Sequence, residues 1–537
     1  MERKIQLLDC TLRDGAYVVD ANFGMSAVKG IIKKLQNANV DIIECGWLKN
    51  DEHEFGTSFF HQVADLKKYI YSKNKNTTYV AMIDWDRYDV AFLEENDGTT
   101  FDAIRVVFPH GKVDGAIEVA RKIKEKGYKV YFQFANTLAY SNKELSELAR
   151  KMNEFMPESV SVVDTFGAMY HDDLRRIVEL LDKELDTNIK LGFHSHNNQQ
   201  LSFALTIHFI ELLQNSMRSI VVDSSLCGMG RGAGNTTTEL IANYLNTKYS
   251  HDYDMNAIMD CIDLYMQYFI ENYTWGYSTS YFIAGMYCCH VNNIAYLQKN
   301  HRTNTRDMRN IIESLSPADR RKYDYDLLEE KYMENQNRHV DDEVVMEMLA
   351  EVLKDREVLL IAPGKSSDLE SDKIKAFIDE KNPIVIGVNA LNEKYQYDYL
   401  FLINSARYDY AKEVYSNKFI NTKKILLSNI KVIPNEDELI INFERVVKRG
   451  WEHFDNAVIN CLRLMNKLAV EKVYLAGFDA FGHKYNDSYA DSGLPTLNPD
   501  DKWDELNEEI KDMYLDFKKT VGEKTKVKFL TESIFNL

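Results

Sequence analysis

No stretch of this 537-residue chain reaches 18 consecutive apolar residues, so no membrane-spanning helix is predicted. The opening residues MERKIQLLDC carry charges but no apolar stretch long enough for a signal peptide. Cysteine pairs at metal-knuckle spacing are missing too. The seven cysteines (Cys10, Cys45, Cys227, Cys261, Cys288, Cys289 and Cys461) are scattered through apolar segments, which predicts reduced thiols in a cytoplasmic protein. Positive charge is in deficit: 65 Lys and Arg against 83 Asp and Glu leave a net charge of −18. That balance argues against nucleic acid or an anionic membrane as the main partner. Internal repeats and low-complexity linkers are absent as well. What remains, at 45% hydrophobic and 28% charged residues, is an ordinary globular composition in a chain too long for one core, so two or three domains are expected.

Up to about residue 245, short apolar runs alternate with helical patterns. The runs are IQLLD (5–9), VDIIECG (40–46), TYVAMID (78–84), AIRVVF (103–108), KVYFQF (129–134), SVSVVD (159–164), IKLGFH (189–194) and SIVVDS (219–224). They are rich in Val, Ile, Phe and Tyr and lack strict alternation, as strands buried on both faces do. Between them lie amphipathic segments such as DGAIEVARKIKEKGY, whose apolar residues recur at helical spacing before Gly127. Eight such units over roughly 250 residues predict an α/β fold of the TIM (β/α)8 type, with a doubly wound open sheet as the alternative. Residues 251–350 turn helical and read as an appendix near the barrel mouth. From about 351 to 537, runs such as REVLLIAPGKSS, NPIVIGVNA, YDYLFLINSA, KKILLSNI and EKVYLAGFDA predict a Rossmann-like C-terminal α/β domain.

A TIM barrel gathers its chemistry at the C-terminal ends of the strands. Polar residues stand at those ends here: Asp9, Arg13 and Asp14; Glu44; Asp84 and Asp86; His110; Asn136; Asp164 and Thr165; His194 and His196; Asp223 and Ser224. His194 and His196 share one side of an extended strand, and with Asp14 they make a mixed nitrogen and oxygen set for a divalent cation. A lone H-x-H pair is otherwise a pair of core-edge histidines. The stretch CGMGRGAGNTTTE beyond the eighth run has Gly228, Gly230, Gly232 and Gly234, which allow close backbone approach to a ligand, and Asn235, a possible additional oxygen ligand.

Taken together, DCTLRDG, GFHSHNN and GMGRGAGNTTTE in this order resemble the three signatures of the DRE-TIM metallolyases, over roughly residues 4–300. That group includes 4-hydroxy-2-oxovalerate aldolase, 3-hydroxy-3-methylglutaryl-CoA lyase and the isopropylmalate and homocitrate synthases. The resemblance implies Asp14, His194 and His196 as metal ligands, Asn235 as a further or water-mediated ligand, and Arg13 as the arginine that steadies an enolate oxygen. The implied cofactor is a divalent metal, with Mn²⁺ first and Mg²⁺ or Zn²⁺ as alternatives. Within the group, the short glycine loop is similar to the aldolase and synthase branches, and Cys227 reads as a buried thiol. YFIAGMYCCHVNN resembles the aldolase segment that brings a tyrosine to the active site, here Tyr287; His290 reads as structural.

The chain departs from the aldolases at one position. Where they carry a histidine base shortly after the Arg-Asp pair, this chain has Tyr17. A phenol near its ordinary pKa of about 10 is a poor base at neutral pH. His110, Tyr287 and Glu44 are the other candidates.

The expected activity is that of a metal-dependent carbon–carbon lyase, an aldolase acting on a 4-hydroxy-2-keto acid through a pyruvate-type enolate. The alternatives are an acetyl-CoA-dependent condensing synthase, and a nucleotide or nucleotide-sugar binder of carbohydrate metabolism working through the C-terminal domain. The expected partners are a small 2-keto acid and an aldehyde, in a homo-oligomer. The Tyr17 departure argues against carrying over the partner dehydrogenase of the aldolases. In the C-terminal domain, Ser366 and Ser367 open a helix whose amides are a candidate phosphate cradle. Leu359 stands where a complete P-loop needs glycine, which argues against ATP hydrolysis.

Overall fold

The computed structural model describes residues 4–70, 72–301, 303–432, 435–482, 485–496, 502–521 and 524–536. Two compact units emerge, 1–294 with 317–322, and 295–316 with 323–537. The helical stretch 251–350, read from the sequence as one appendix, is therefore divided between them. The reason is visible at 317–322. There the backbone carbonyl of Arg320 accepts the His290 N–H at 2.8 Å, and the Asn293 amide donates to the carbonyls of Arg320 and Lys322.

The first unit is a closed barrel. Its strands are β1 (Ile5–Asp9), β2 (Ile42–Leu48), β3 (Thr78–Asp84), β4 (Ala103–Phe108), β5 (Lys129–Phe134), β6 (Ser159–Asp164), β7 (Lys190–Ser195) and β8 (Ile220–Ser224). Neighbours pair in parallel all the way round. β1 closes the ring by pairing Leu8 with Ile42 of β2 and Ile5–Asp9 with Ile220–Ser224 of β8. Both faces of these strands are covered, which is why they read as continuous apolar runs. Leu8, Ile42, Val80, Ala103, Tyr131 and Val221 fill the interior. The outer faces take helices such as Val113–Glu125, which buries Ala116, Ile117, Ala120 and Ile123 at helical spacing. β2 carries one irregularity in register, between Glu44 and Trp47. Gly46 lies inside it at φ +147°, and a Cβ there would come within 1.9 Å of the Ser58 carbonyl, so only glycine fits.

The second unit holds a seven-stranded parallel sheet. Its strands are β9 (Val358–Ile361), β10 (Ile384–Val388), β11 (Tyr399–Leu402), β12 (Lys423–Leu427), β13 (Glu438–Ile441), β14 (Lys472–Ala476) and β15 (Lys526–Phe529). Their order is β13-β12-β11-β10-β9-β14-β15, a Rossmann-like arrangement. The expected phosphate cradle after β9 is already filled. Asp479 accepts both the backbone N–H and the hydroxyl of Ser366, and Ser367 donates its hydroxyl to the Gly364 carbonyl at 2.7 Å. Among the described residues no helix is long and apolar enough to cross a membrane.

Candidate active site

β1 ends at Asp9, and the chain turns at once into the short helix Thr11–Asp14. Asp9 organises that turn: its carboxylate accepts the Thr11 N–H at 2.9 Å and the Thr238 hydroxyl at 2.6 Å, while burial raises its pKa to about 6. The turn lays Arg13 and Asp14 across the mouth. Arg13 donates its Nε to Glu44 Oε2 at 2.8 Å and an Nη to Asp14 Oδ1. Asp14 Oδ2 accepts from the Asn235 amide at 2.8 Å and from the Arg231 backbone N–H at 3.1 Å.

The end of β7 and the residue just beyond it supply His194 and His196, both buried, with ring centroids 5.0 Å apart. Metal-binding atoms of Asp14, His194 and His196 all lie within 4.8 Å of one another. The glycine loop is pressed against this group. His196 and Asn235 form a bridge, and a Cβ on Gly230 would sit 2.2 Å from the Asn235 amide nitrogen and 2.4 Å from Asp14 Oδ2. Beneath them Arg105 of β4, 1% exposed, donates to Glu44 Oε2 at 2.8 Å, to Gln133 at 2.8 Å and to Asp223 Oδ2.

This site suits a divalent cation on three counts. His194 Nδ1, His196 Nδ1 and Asn235 Oδ1 are buried without a hydrogen-bond partner, which a folded protein rarely tolerates. His194 Nδ1 lies 3.1 Å from Asp223 Oδ2, but not in hydrogen-bond geometry. Three carboxylates (Asp14, Glu44, Asp223) face two guanidiniums (Arg13, Arg105), leaving the cluster one negative charge in excess. Finally, Asp14 and His196 are in the protonation states a cation requires. Burial alone would raise Asp14, but Arg13 and the histidines beside it hold its carboxyl well below the usual range. Burial pushes His196 down to about 3, so its ring is neutral at pH 7.

A family model described as HMGL-like matches residues 4–264. The barrel is an HMGL-like domain. As such it is a DRE-TIM metallolyase domain, an enzyme of the lyase type, and the second unit is an addition to it. A 4-hydroxy-2-oxovalerate aldolase of Bacillus cereus is 26% identical over 263 residues, 48% of this chain and 75% of the relative. Another, from Thermomicrobium roseum, is 29% identical over 247 residues, 45% of this chain and 66% of the relative. Among solved structures, the HMG-CoA lyase of Brucella melitensis aligns at TM-score 0.38 and 14% identity, covering 50% of this chain and 99% of its own.

The remaining candidates of the HMGL-like domain fall into two groups. At the mouth, Tyr17 stands edge-on to Trp47 and under the Arg231 guanidinium at 4.9 Å. The residue is 49% exposed, yet desolvation of the phenol raises its pKa, with Arg231 partly opposing. Asp84, at the end of β3, is also raised by desolvation, and Arg231 is among the cations that counter it. Tyr287 follows the helix Thr279–Met286, whose Gly285 packs against Gly167 and Asn198 in the loops after β6 and β7. Its ring lies under Arg320 at 5.0 Å.

Away from the triad, His110 is on the exposed rim, 3.0 Å from Glu144 and edge-on to Tyr140. Asp164 accepts the N–H groups of Ala168 and Met169, and burial raises it to about 7, so it shapes a loop. The Asn136 N–H donates to the Thr165 hydroxyl at 2.6 Å, and the Ser224 hydroxyl donates to the Leu8 carbonyl at 3.1 Å. Asp86 is exposed. Burial lifts the Cys227 thiol to about 12, so it is a neutral thiol at pH 7.

Arg105 and the contact between Arg231 and His290 escaped the sequence reading. Arg105 is a lone charge inside the apolar run AIRVVF, and a charge inside a fully buried strand has to be paired; that was the available signal. Arg231 and His290 are 59 residues apart but meet at 2.7 Å, Nη2 to Nε2. Burial and Arg231 pull His290 down to about 3. No sequence spacing announces such a contact.

Proposed function

We propose that the HMGL-like domain is a divalent-metal-dependent aldolase that cleaves, or in reverse forms, a 4-hydroxy-2-keto acid. The single observation that carries this reading is the convergence of Asp14, His194 and His196 in a buried cluster with one excess negative charge, in which nitrogens of both histidines and the Asn235 oxygen have no hydrogen-bond partner. Those four residues would hold the cation. Bound there, it supplies a Lewis acid for a keto oxygen.

The chain's own residues do the rest. Arg13, fixed by Glu44 and Asp14, presents a permanently charged donor where an enolate oxygen gains charge; such a donor is worth roughly 10²–10³-fold in rate. Arg105 holds Glu44 in place, so Glu44 acts as the positioner of Arg13. Its Oε2 accepts from both guanidiniums, while its buried Oε1 has no hydrogen-bond partner. In the cleavage direction the 4-hydroxyl proton leaves, the C3–C4 bond breaks with its electron pair going to the keto-acid fragment, and an aldehyde remains. We assign the proton's reception to the outer mouth, where Asp84, its carboxyl raised above the usual value by burial, stands near Tyr17 and Arg231. Protonation of the enolate carbon then gives pyruvate or its homologue.

The test is deuterium exchange into the methyl group of pyruvate, followed by NMR, with metal-stripped protein resupplied with Mn²⁺, Mg²⁺ or Zn²⁺. Exchange that requires both metal and Asp14 supports the reading. Metallated protein that exchanges neither pyruvate nor any other 2-keto acid refutes it. Turnover only with acetyl-CoA, releasing free CoA, would assign the domain to condensing synthases instead.

A further inference from the structure

In the second unit the strand order reverses at β9, which has β10 on one side and β14 on the other. In open parallel sheets, ligands lodge beyond the strand C-termini at such a reversal. A cavity of about 140 Å³ opens at that place, floored by Ala362–Gly364 after β9 and Gly477–Ala480 after β14. The two loops touch: a Cβ on Gly477, at φ +71°, would lie 2.2 Å from the Ala362 carbonyl.

Arg407, near the start of the helix Ser405–Val414, lines this cavity and is 6% exposed. Its backbone N–H is accepted by Asn404, and its guanidinium reaches the Asn389 carbonyl at 3.4 Å and lies 5.0 Å from the Tyr489 ring. It makes no ion pair among the described residues. The nearby Asp491 carboxylate accepts from the hydroxyls of Tyr410 and Tyr415. Asp491 acts on Arg407 from beyond ion-pair distance, and Tyr489 also partners it. A guanidinium does not shed its charge, and a buried charge that no carboxylate pairs directly is costly. Arg407 thus calls for an anion from outside the chain. The cavity wall adds Asp455, whose carboxylate suits sugar hydroxyls, and the rings of Phe478, Phe481 and Tyr489, which give an apolar wall for a base. An inorganic anion would use only the first of these features.

We propose that this cavity binds a nucleotide, with Arg407 on its phosphate, Asp455 on its sugar and the aromatic wall on its base. The site is independent of the barrel chemistry.

The experiment is calorimetry on the full chain with AMP, GMP, CMP and UMP, their diphosphates, the bare nucleosides, and inorganic phosphate and pyrophosphate. At least one nucleotide is expected to bind at least about tenfold more tightly than its nucleoside and than either inorganic anion. Arg407→Gln should weaken that binding at least about tenfold. Should Arg407→Gln fail to fold, Ala480→Trp, which fills the cavity and leaves Arg407 in place, should give the same loss. Binding should survive Asp14→Ala, and hydrogen exchange should slow at 362–364, 404–407 and 477–481. The proposal is overturned if no nucleotide outdoes the inorganic anions, if binding withstands the cavity substitutions, or if it disappears with Asp14.

Discussion

Replacing Arg105 with methionine would show how the mouth is electrostatically built. The guanidinium lies at the centre of the barrel, 1% exposed, and holds Glu44, Gln133 and Asp223 at once. Methionine matches much of its length but none of its charge. Asp223 is left with no cation, and Glu44 keeps only Arg13. Removing one partner from a buried charged group costs about 3–5 kcal/mol, because the orphaned charge stays buried. At about 2 °C per kcal/mol, the low end of the domain-size scale and apt for so large a unit, Arg105→Met should lower the barrel's melting temperature by about 6–10 °C. Differential scanning calorimetry resolves this, provided the barrel transition is followed by a probe of its own; Trp47, Trp85 and Trp275 lie in that unit. Arg105→Lys should recover only part of the loss, since an ammonium cannot bridge three acceptors in a planar fork. A melting temperature within about 2 °C of the parent for Arg105→Met would refute this account of the charge cluster.

Other substitutions probe neighbouring parts of the chain. Gly230→Ala forces a methyl into the Asn235 and Asp14 contacts, so metal affinity measured by competition with a chelator should fall at least about tenfold while the secondary structure is kept. Cys227→Ala should leave pyruvate exchange within about threefold of the parent, because a thiol this strongly raised is not a nucleophile at pH 7. Tyr17→Phe and Asp84→Asn should each slow aldol cleavage more than they slow methyl exchange, since the 4-hydroxyl proton belongs only to cleavage; equal effects on both would dismiss the outer-mouth assignment. In the second unit, Asp342 faces burial that would raise its carboxyl, but the two-pronged Arg445 contact and the Asn442 N–H hold it below its usual range. Its folded pKa lies below its unfolded one, so its stabilisation is present above about pH 4 and is lost as pH falls toward the folded value. Urea titrations of the parent and Asp342→Asn should therefore differ at pH 7 and converge below about pH 4.

The barrel and the Asp14–His194–His196 cluster were legible because both rest on short-range patterns. Eight apolar runs at even spacing predict eight buried parallel strands. H-x-H on a strand and Arg-Asp after a strand place their side chains by local geometry. What stayed hidden depends on distance or on weak patterns. β13 offers only the four residues ELII, and β15 alternates exposed Lys526 and Lys528 with its apolar residues as a sheet-edge strand does, so neither has the continuous run that marked its neighbours. The contact of Arg231 with His290 joins a loop to a segment beyond the last strand. Ser366 looked like a helix start awaiting phosphate, and only the fold brings Asp479 from 113 residues away to occupy it. The demotion of His110 has the same character: a residue just past a strand end can turn outward, and here it joins Glu144 on the rim.

The chain crosses between its two units three times, after residues 294, 316 and 322. Single-site truncation therefore cannot separate them cleanly. Ending the chain at 294 strips the barrel of 317–322, whose carbonyls hold His290 and Asn293 beside the catalytic mouth. Starting it at 350 deprives the second sheet's unit of 295–316 and 323–349. A library of fragments or a protease nick would meet the same obstacle, so the two units are inherited as one reading frame.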